Sequence, residues 1–179
     1  TVVTTPVLDQ SGPFVACDSF TLPVILGSDL SGTEAYYDAT GGPTAANVVT
    51  GPITSEMDIF IYDGASGCSD EQPISITINP LPTVTNVSGE GTYCADEAIN
   101  DILVDVTGSA NWSVDYTLDG AIQNATGATS PVNLGNAAGV YVVTGVTDAN
   151  NCSNTASETQ VITVNLCSIT IPTAFTPDA

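Results

Sequence analysis

Gly139-Val-Tyr-Val-Val-Thr-Gly-Val-Thr-Asp-Ala-Asn-Asn-Cys152 is the stretch whose reading decides the fold. It opens as a run of Val, Tyr and Thr, residues that suit a pleated strand. An Asp/Asn turn then closes it on a cysteine. Met57-Asp-Ile-Phe-Ile-Tyr-Asp-Gly-Ala-Ser-Gly-Cys68 follows the same plan. Each copy leads into an alternating strand, Ile74-Ser-Ile-Thr-Ile-Asn79 in the first and Gln160-Val-Ile-Thr-Val-Asn165 in the second. Strand, turn, cysteine and strand, written twice, predict a repeated β-module.

The length of 179 residues accommodates two such modules of about 80 to 90 residues, near the size at which an antiparallel sandwich closes a core. We expect modules over 1–80 and 81–167, with 168–179 a separate terminal piece. The stiff Asn79-Pro-Leu-Pro82 reads as the linker. An apolar content of 42% sets the chain apart from acidic disordered tails. Its longest apolar runs fall far short of the roughly 20 residues that span a bilayer. With no signal peptide, the sequence is expected to be a soluble mature fragment of something longer.

The chain has 20 acidic residues and no Lys, Arg or His. Side-chain salt bridges are therefore impossible, and charge acts only through self-repulsion and solubility. Nucleic acid is a poor partner, because no cation is available for its phosphates. A His-based triad and lysine chemistry are both excluded. The six glutamates (34, 56, 71, 90, 97 and 158) are scattered beside turn residues and read as solvated surface rather than a glycosidase pair. No enzyme is expected.

Five cysteines, at 17, 68, 94, 152 and 167, lack the close spacing of metal clusters. Cys17 and Cys68 are 51 residues apart, and Cys94 and Cys152 are 58 apart. The similar spacing predicts one bridge per module, Cys17–Cys68 and Cys94–Cys152, with Cys167 unpaired. Disulfides imply an oxidising, extracellular setting.

Residues 1 to 8 read as an extended lead-in or first strand. Phe20, Leu22, Val24 and Leu26 alternate on one face of a strand that Pro23 confines to an edge or a bulge. Ser31 to Tyr37 brings another strand, and Gly41-Gly-Pro43 a turn. Farther along, Ile102, Val104 and Val106 alternate, as do Trp112, Val114, Tyr116 and Leu118, and Asp119-Gly120 marks a hairpin. No 3.6-residue apolar period is sustained. The expected fold is all-β: two tandem Ig-like antiparallel sandwiches with little or no helix. Because Cys68 and Cys152 follow their strands, the bridges are expected to pin loops, leaving Trp112 as core filler.

Among candidate ligands, Asp148 and Asn150 (with Asn151) crowd one turn, and Asp96 and Asp101 (with Glu97) crowd another. Such oxygens suit calcium, although neither set has the spaced loop pattern, and a solvated turn is the plainer reading. No cofactor is expected, calcium being the one candidate. Sequons at Asn86, Asn111, Asn124 and Asn151 read as chance. Tyr36 and Tyr37 are adjacent, so one should be core and the other exposed, the exposed ring being a candidate platform for surface glycans.

Cys17-Asp-Ser-Phe-Thr-Leu-Pro23, Gly27-Ser-Asp-Leu-Ser-Gly32 and Glu34-Ala-Tyr-Tyr37 together resemble a repeat of large secreted surface proteins of gliding bacteria. Gly91-Thr-Tyr-Cys94 through Cys152 resembles the Ig-like repeat that often closes such proteins. Cys167-Ser-Ile-Thr-Ile-Pro-Thr-Ala-Phe-Thr-Pro177 resembles the opening of the gliding-motility-associated C-terminal domain, the type B sorting signal of type IX secretion. It departs from the usual pattern at Thr173 and at Asp178-Ala179, where Asn and Asn-Gly are customary. Asp18-Ser19-Phe20 resembles an O-glycosylation site of the kind found in these bacteria. The resemblance implies an extracellular, cell-surface adhesin or filament segment, a rigid spacer whose partners are neighbouring repeats and the secretion machinery. Two alternatives stand beside it: an accessory stalk of a secreted polysaccharide-degrading enzyme, and a self-assembling extracellular fibre subunit.

Overall fold

A computed structural model describes residues 4–10, 12–65 and 67–167. The chain divides into two units, Thr1–Leu81 and Pro82–Ala179. The terminal piece expected at 168–179 lies outside the described residues.

The first unit contains β1 (Val7–Leu8), β2 (Phe14–Cys17), β3 (Gly27–Ser28), β4 (Ala35–Tyr37), β5 (Met57–Ala65) and β6 (Cys68–Asn79). β1 pairs with β3, and the second sheet runs β2-β6-β5-β4, with β2 parallel to β6. The second unit contains β7 (Val84–Ser88), β8 (Gly91–Cys94), β9 (Ile102–Val106), β10 (Trp112–Leu118), β11 (Ala121–Gly127), β12 (Val132–Gly135), β13 (Gly139–Thr147) and β14 (Ser153–Asn165). Its sheets run β12-β9-β7 and β11-β10-β13-β14-β8, with β8 parallel to β14. The plan is shared. In each unit the first strand pairs with the third, the second runs parallel to the last, and the penultimate strand lies beside the last. The second unit adds β11 and β12. Among the described residues the one helical element is a 3-10 turn at Gly42–Thr44.

Each unit has its own core. In the second, Ile102, Val104, Trp112, Val114, Tyr116, Val143 and Val146 interdigitate between the sheets, following the period-2 pattern of their strands. Trp112 donates its indole N–H to the Thr107 carbonyl at 2.9 Å, so its one polar atom is satisfied inside the core. Tyr141, 1% exposed, donates its hydroxyl to the Ala137 carbonyl at 3.0 Å. This is the corner tyrosine of Ig-like domains. Two residues on, where antibody domains carry their second cysteine, Val143 is fully buried.

The first unit departs from the expected pattern at two places. Phe20 makes a single bridge to Ile53, and no strand runs through Thr21–Leu26. Pro23 shifts the phase there: Phe20, Leu22 and Ile25 pack on the core, whereas Val24 and Leu26 are 81% and 58% exposed. Proline has no N–H for a ladder and fixes φ, so alternation fails across it. The carbonyl of Pro23 instead accepts the Tyr36 hydroxyl at 3.1 Å.

Tyr36 and Tyr37 are both buried, 7% and 4% exposed, contrary to the expectation that one would face solvent. They point to opposite faces, but Tyr37 is covered by Tyr62, edge-on at 6.1 Å. The 3-10 turn closes over the Tyr62 ring: a Cβ at Gly42 would sit 2.5 Å from it, which requires glycine there.

Burial pushes the Tyr141 phenol above its ordinary value, with smaller contributions from the Asp101 and Asp119 carboxylates and an opposing one from the bond to Ala137. Burial raises Tyr36 likewise. A raised folded value contributes stability that is present below about pH 10 and lost as pH rises through it. Titration followed at 295 nm should show late-ionising phenols, of which Tyr141→Phe removes one, at a cost of about 1 kcal/mol in stability near neutral pH.

Candidate functional site

Strand ends and loops gather the chemically distinctive residues. Cys94 ends β8, which runs parallel to the end of β14 so that Asn165 lies opposite Cys94. Cys167 follows two residues later and is bonded to Cys94, with their Cα atoms 5.3 Å apart. Closing a loop of sequence separation 73 stabilises the fold by about 4 kcal/mol in a chain-entropy account. Cys17 and Cys152 are each disulfide-bonded, and Cys68 is a half-buried free thiol.

Both expected bridges are thereby corrected, as is the expected free Cys167. Cys17 ends β2 opposite Asn79, at one end of β6, whereas Cys68 starts β6 at the other end. Twelve residues of strand separate them by about 36 Å, far beyond the roughly 7 Å between Cα atoms that a disulfide permits. Cys152 and Cys94 likewise lie at opposite ends of β14, about 40 Å apart along the strand.

Asp148 is 5% exposed. One carboxylate oxygen accepts the backbone N–H of Asn150 at 2.9 Å and of Cys152 at 3.1 Å. The other accepts the Ser109 N–H at 3.0 Å. Asp148 N–H donates to the Cys152 carbonyl, and Asn151 N–H to the Asp148 carbonyl, both at 3.0 Å. The side chain thus shapes the turn between β13 and β14 and ties it to the loop between β9 and β10. Asn150 adds a bond from its amide to the Ser109 hydroxyl at 2.7 Å.

The first unit repeats the device. Asp63 on β5 is fully buried and accepts the Ser31 N–H at 2.8 Å and the Ser31 hydroxyl. Ser31, like Ser109, sits in the loop that follows the third strand of its unit. Two buried aspartates therefore clasp equivalent loops. Sequence reasoning missed this role for Asp63; its signal was an acidic residue among the apolar residues of a core strand.

The four calcium candidates do not come together. Asp148 and Asn150 lie at the start of β14, Asp96 just beyond β8 near its end, and Asp101 ahead of β9. Asp101 accepts the Asn133 amide at 2.6 Å, and neighbouring Glu97 accepts the Cys94 N–H at 2.8 Å. Among the described residues no group of three or more His, Cys, Asp or Glu side chains is placed to hold a metal ion. The Asp148 oxygens face N–H donors, which supply the positive ends a cation would otherwise provide.

The sequon asparagines are structurally engaged or turn-forming. Asn86 bonds Asp105 at 3.0 Å, and Asn124 bonds Ser113 and Asp115, each at 2.7 Å. Asn111 and Asn151 have positive φ. Among the described residues every aromatic side chain is buried or half-buried, so none forms an open platform for sugar stacking. Among the described residues no helix is long and apolar enough to cross a membrane.

No family model matches the sequence, and no curated protein matches it. Solved structures do. A three-Ig-domain structure of titin, an E-to-A variant, is 13% identical, covering 90% of this chain and 66% of that one with a TM-score of 0.55. An I-band fragment of titin is also 13% identical, covering 89% and 63% with a TM-score of 0.52. This chain thus spans just under two thirds of those structures. At such identity the likeness concerns the fold: this chain is a tandem of Ig-like β-sandwiches.

Peptide mapping under non-reducing conditions should recover Cys94 joined to Cys167, and thiol titration of the unfolded, unreduced chain should count one free thiol. A Cys17–Cys68 peptide would contradict the strand geometry.

Proposed function

We propose that this chain is a disulfide-stabilised spacer and interaction segment of a cell-surface adhesin or filament, exported by type IX secretion. The observation that carries the reading is the Cys94–Cys167 bond. It fastens the end of the second unit at the first residue of the stretch that resembles a type B sorting signal. A bridge at that position makes an exported module resistant to unravelling from its C-terminal end, where the remainder of an anchoring domain would continue. Disulfides require an oxidising compartment. The all-acidic charge favours solubility and gives trypsin-like proteases no basic residue beside which to cut. Neighbouring repeats of the parent protein are the proposed adjacent partners, and the secretion and attachment machinery the terminal one.

Antibodies against this segment, applied to intact cells of the source organism, should label the surface. Disrupting the type IX machinery should abolish that labelling and retain the protein inside the cell. Surface labelling that survives the disruption would overturn the export route, and a wholly intracellular protein would overturn the reading.

A further inference from the structure

We propose that β11 is a self-pairing edge, on which a second copy of this chain adds its own β11 in antiparallel register. β11 is the terminal strand of its five-stranded sheet. At seven residues it is the longest edge strand among the described residues. Edge strands present unpaired N–H and C=O groups, and proteins usually blunt them with proline, charge, bulges or short length. Other edges here are blunted: β7 and β12 have register shifts, and β8 is four residues long and disulfide-tied. The open half of β6 carries Asp70, Glu71 and Pro73. β11 has no such device. Its sequence, Ala-Ile-Gln-Asn-Ala-Thr-Gly, lacks charge and proline, and its register with β10 is unbroken from Trp112↔Gly127 to Leu118↔Ala121.

The hairpin turn fixes which groups face outward. Asp119 and Gly120 have φ of 51° and 80°, the two positive values of a type I′ turn. Leu118 and Ala121, which flank it, therefore exchange both hydrogen bonds, and exchanging and non-exchanging pairs alternate along the hairpin. Ala121, Gln123 and Ala125 thus point their backbone groups at β10. Ile122, Asn124 and Thr126 point theirs to the open edge. That set is symmetric about Asn124. A two-fold pairing of Asn124 with Asn124 of the second copy, and of Ile122 with Thr126, satisfies all three residues on both sides. It also covers Ile122, which is 88% exposed, and joins two sheets of five strands into one of ten.

Charge at the edge itself does not oppose a second copy. Gly120 to Thr147 contains no acidic residue in a chain with 20, so the paired strands bring no like charges directly opposite one another. The remaining repulsion is between distant surface carboxylates, which salt screens. The interface is isologous and closes at two copies. It is small for a permanent contact, so association should depend on concentration. This inference is independent of the secretion route and of adhesion.

Sedimentation equilibrium of the full 179-residue chain in 20 mM and 0.5 M NaCl, up to about 1 mM protein, tests the proposal. The mass should rise towards twice that of the single chain with concentration, and more steeply at high salt. Amide exchange should show protection at Ile122, Asn124 and Thr126 that grows with concentration. Thr126→Pro removes one outward N–H without breaking a ladder bond, and Ile122→Asp places like charges beside the seam. Each should return the chain to a monomer with its melting temperature essentially unchanged. A wild-type monomer at 1 mM in 0.5 M NaCl would overturn the proposal, as would a dimer that survives both substitutions. Protection of those three amides that requires an extended peptide of another protein would also overturn it, assigning the edge to a different partner.

Discussion

A carboxylate that enters the interior of this chain meets no Lys, Arg or His, and among the described residues the two buried aspartates, Asp63 and Asp148, are held by N–H and O–H donors. Burying an unpaired charge is costly enough that such groups are normally paired or neutralised. Asp63 and Asp148 instead collect backbone amides of the loops they must fix. The amide dipoles supply the positive field, and charge assistance strengthens each bond. The loop after the third strand in both units depends on that contact, as does the turn between β13 and β14.

The same constraint runs outward. At the surface, Asp70 receives the Leu8 N–H at 2.8 Å and so draws β1 towards β6. Asp38 receives both the side-chain amide and the backbone N–H of Asn47, which hold its carboxyl below the ordinary carboxylate range. Asp119 receives the Val140 N–H beside the type I′ turn. Acidic residues in this chain act as local staples for backbone segments, work that ion pairs share in an ordinary protein. Along β11, which carries no charge of its own, the sheet edge is left open.

The second unit was far more legible in the sequence than the first. Its strands keep strict alternation, and Asp119-Gly120 marks a hairpin that the structure bears out residue by residue. In the first unit, Pro23 shifts the phase of an apparently alternating run, and the Tyr62 ring, itself under a glycine turn, covers Tyr37 so that both adjacent tyrosines are buried. Cysteine spacing misled for a different reason. Similar separations in two modules were compatible with any bridge repeated twice, but the parallel pairing of β8 with β14 sets Cys94 beside Cys167. Parallel neighbours distant in sequence leave no local signature. Asp148 was legible as a turn residue, yet its burial and its bond to Ser109 depend on tertiary contacts.

Amide hydrogen exchange at Ser31 and Ser109 tests the role of the buried aspartates most directly. Both N–H groups lie in loops, where exchange is ordinarily fast. Protection in the native chain, lost at Ser31 in Asp63→Ala and at Ser109 in Asp148→Ala while the core strands stay protected, is the predicted result. Unprotected Ser31 and Ser109 amides in the wild-type chain, or protection that survives both substitutions, would contradict it.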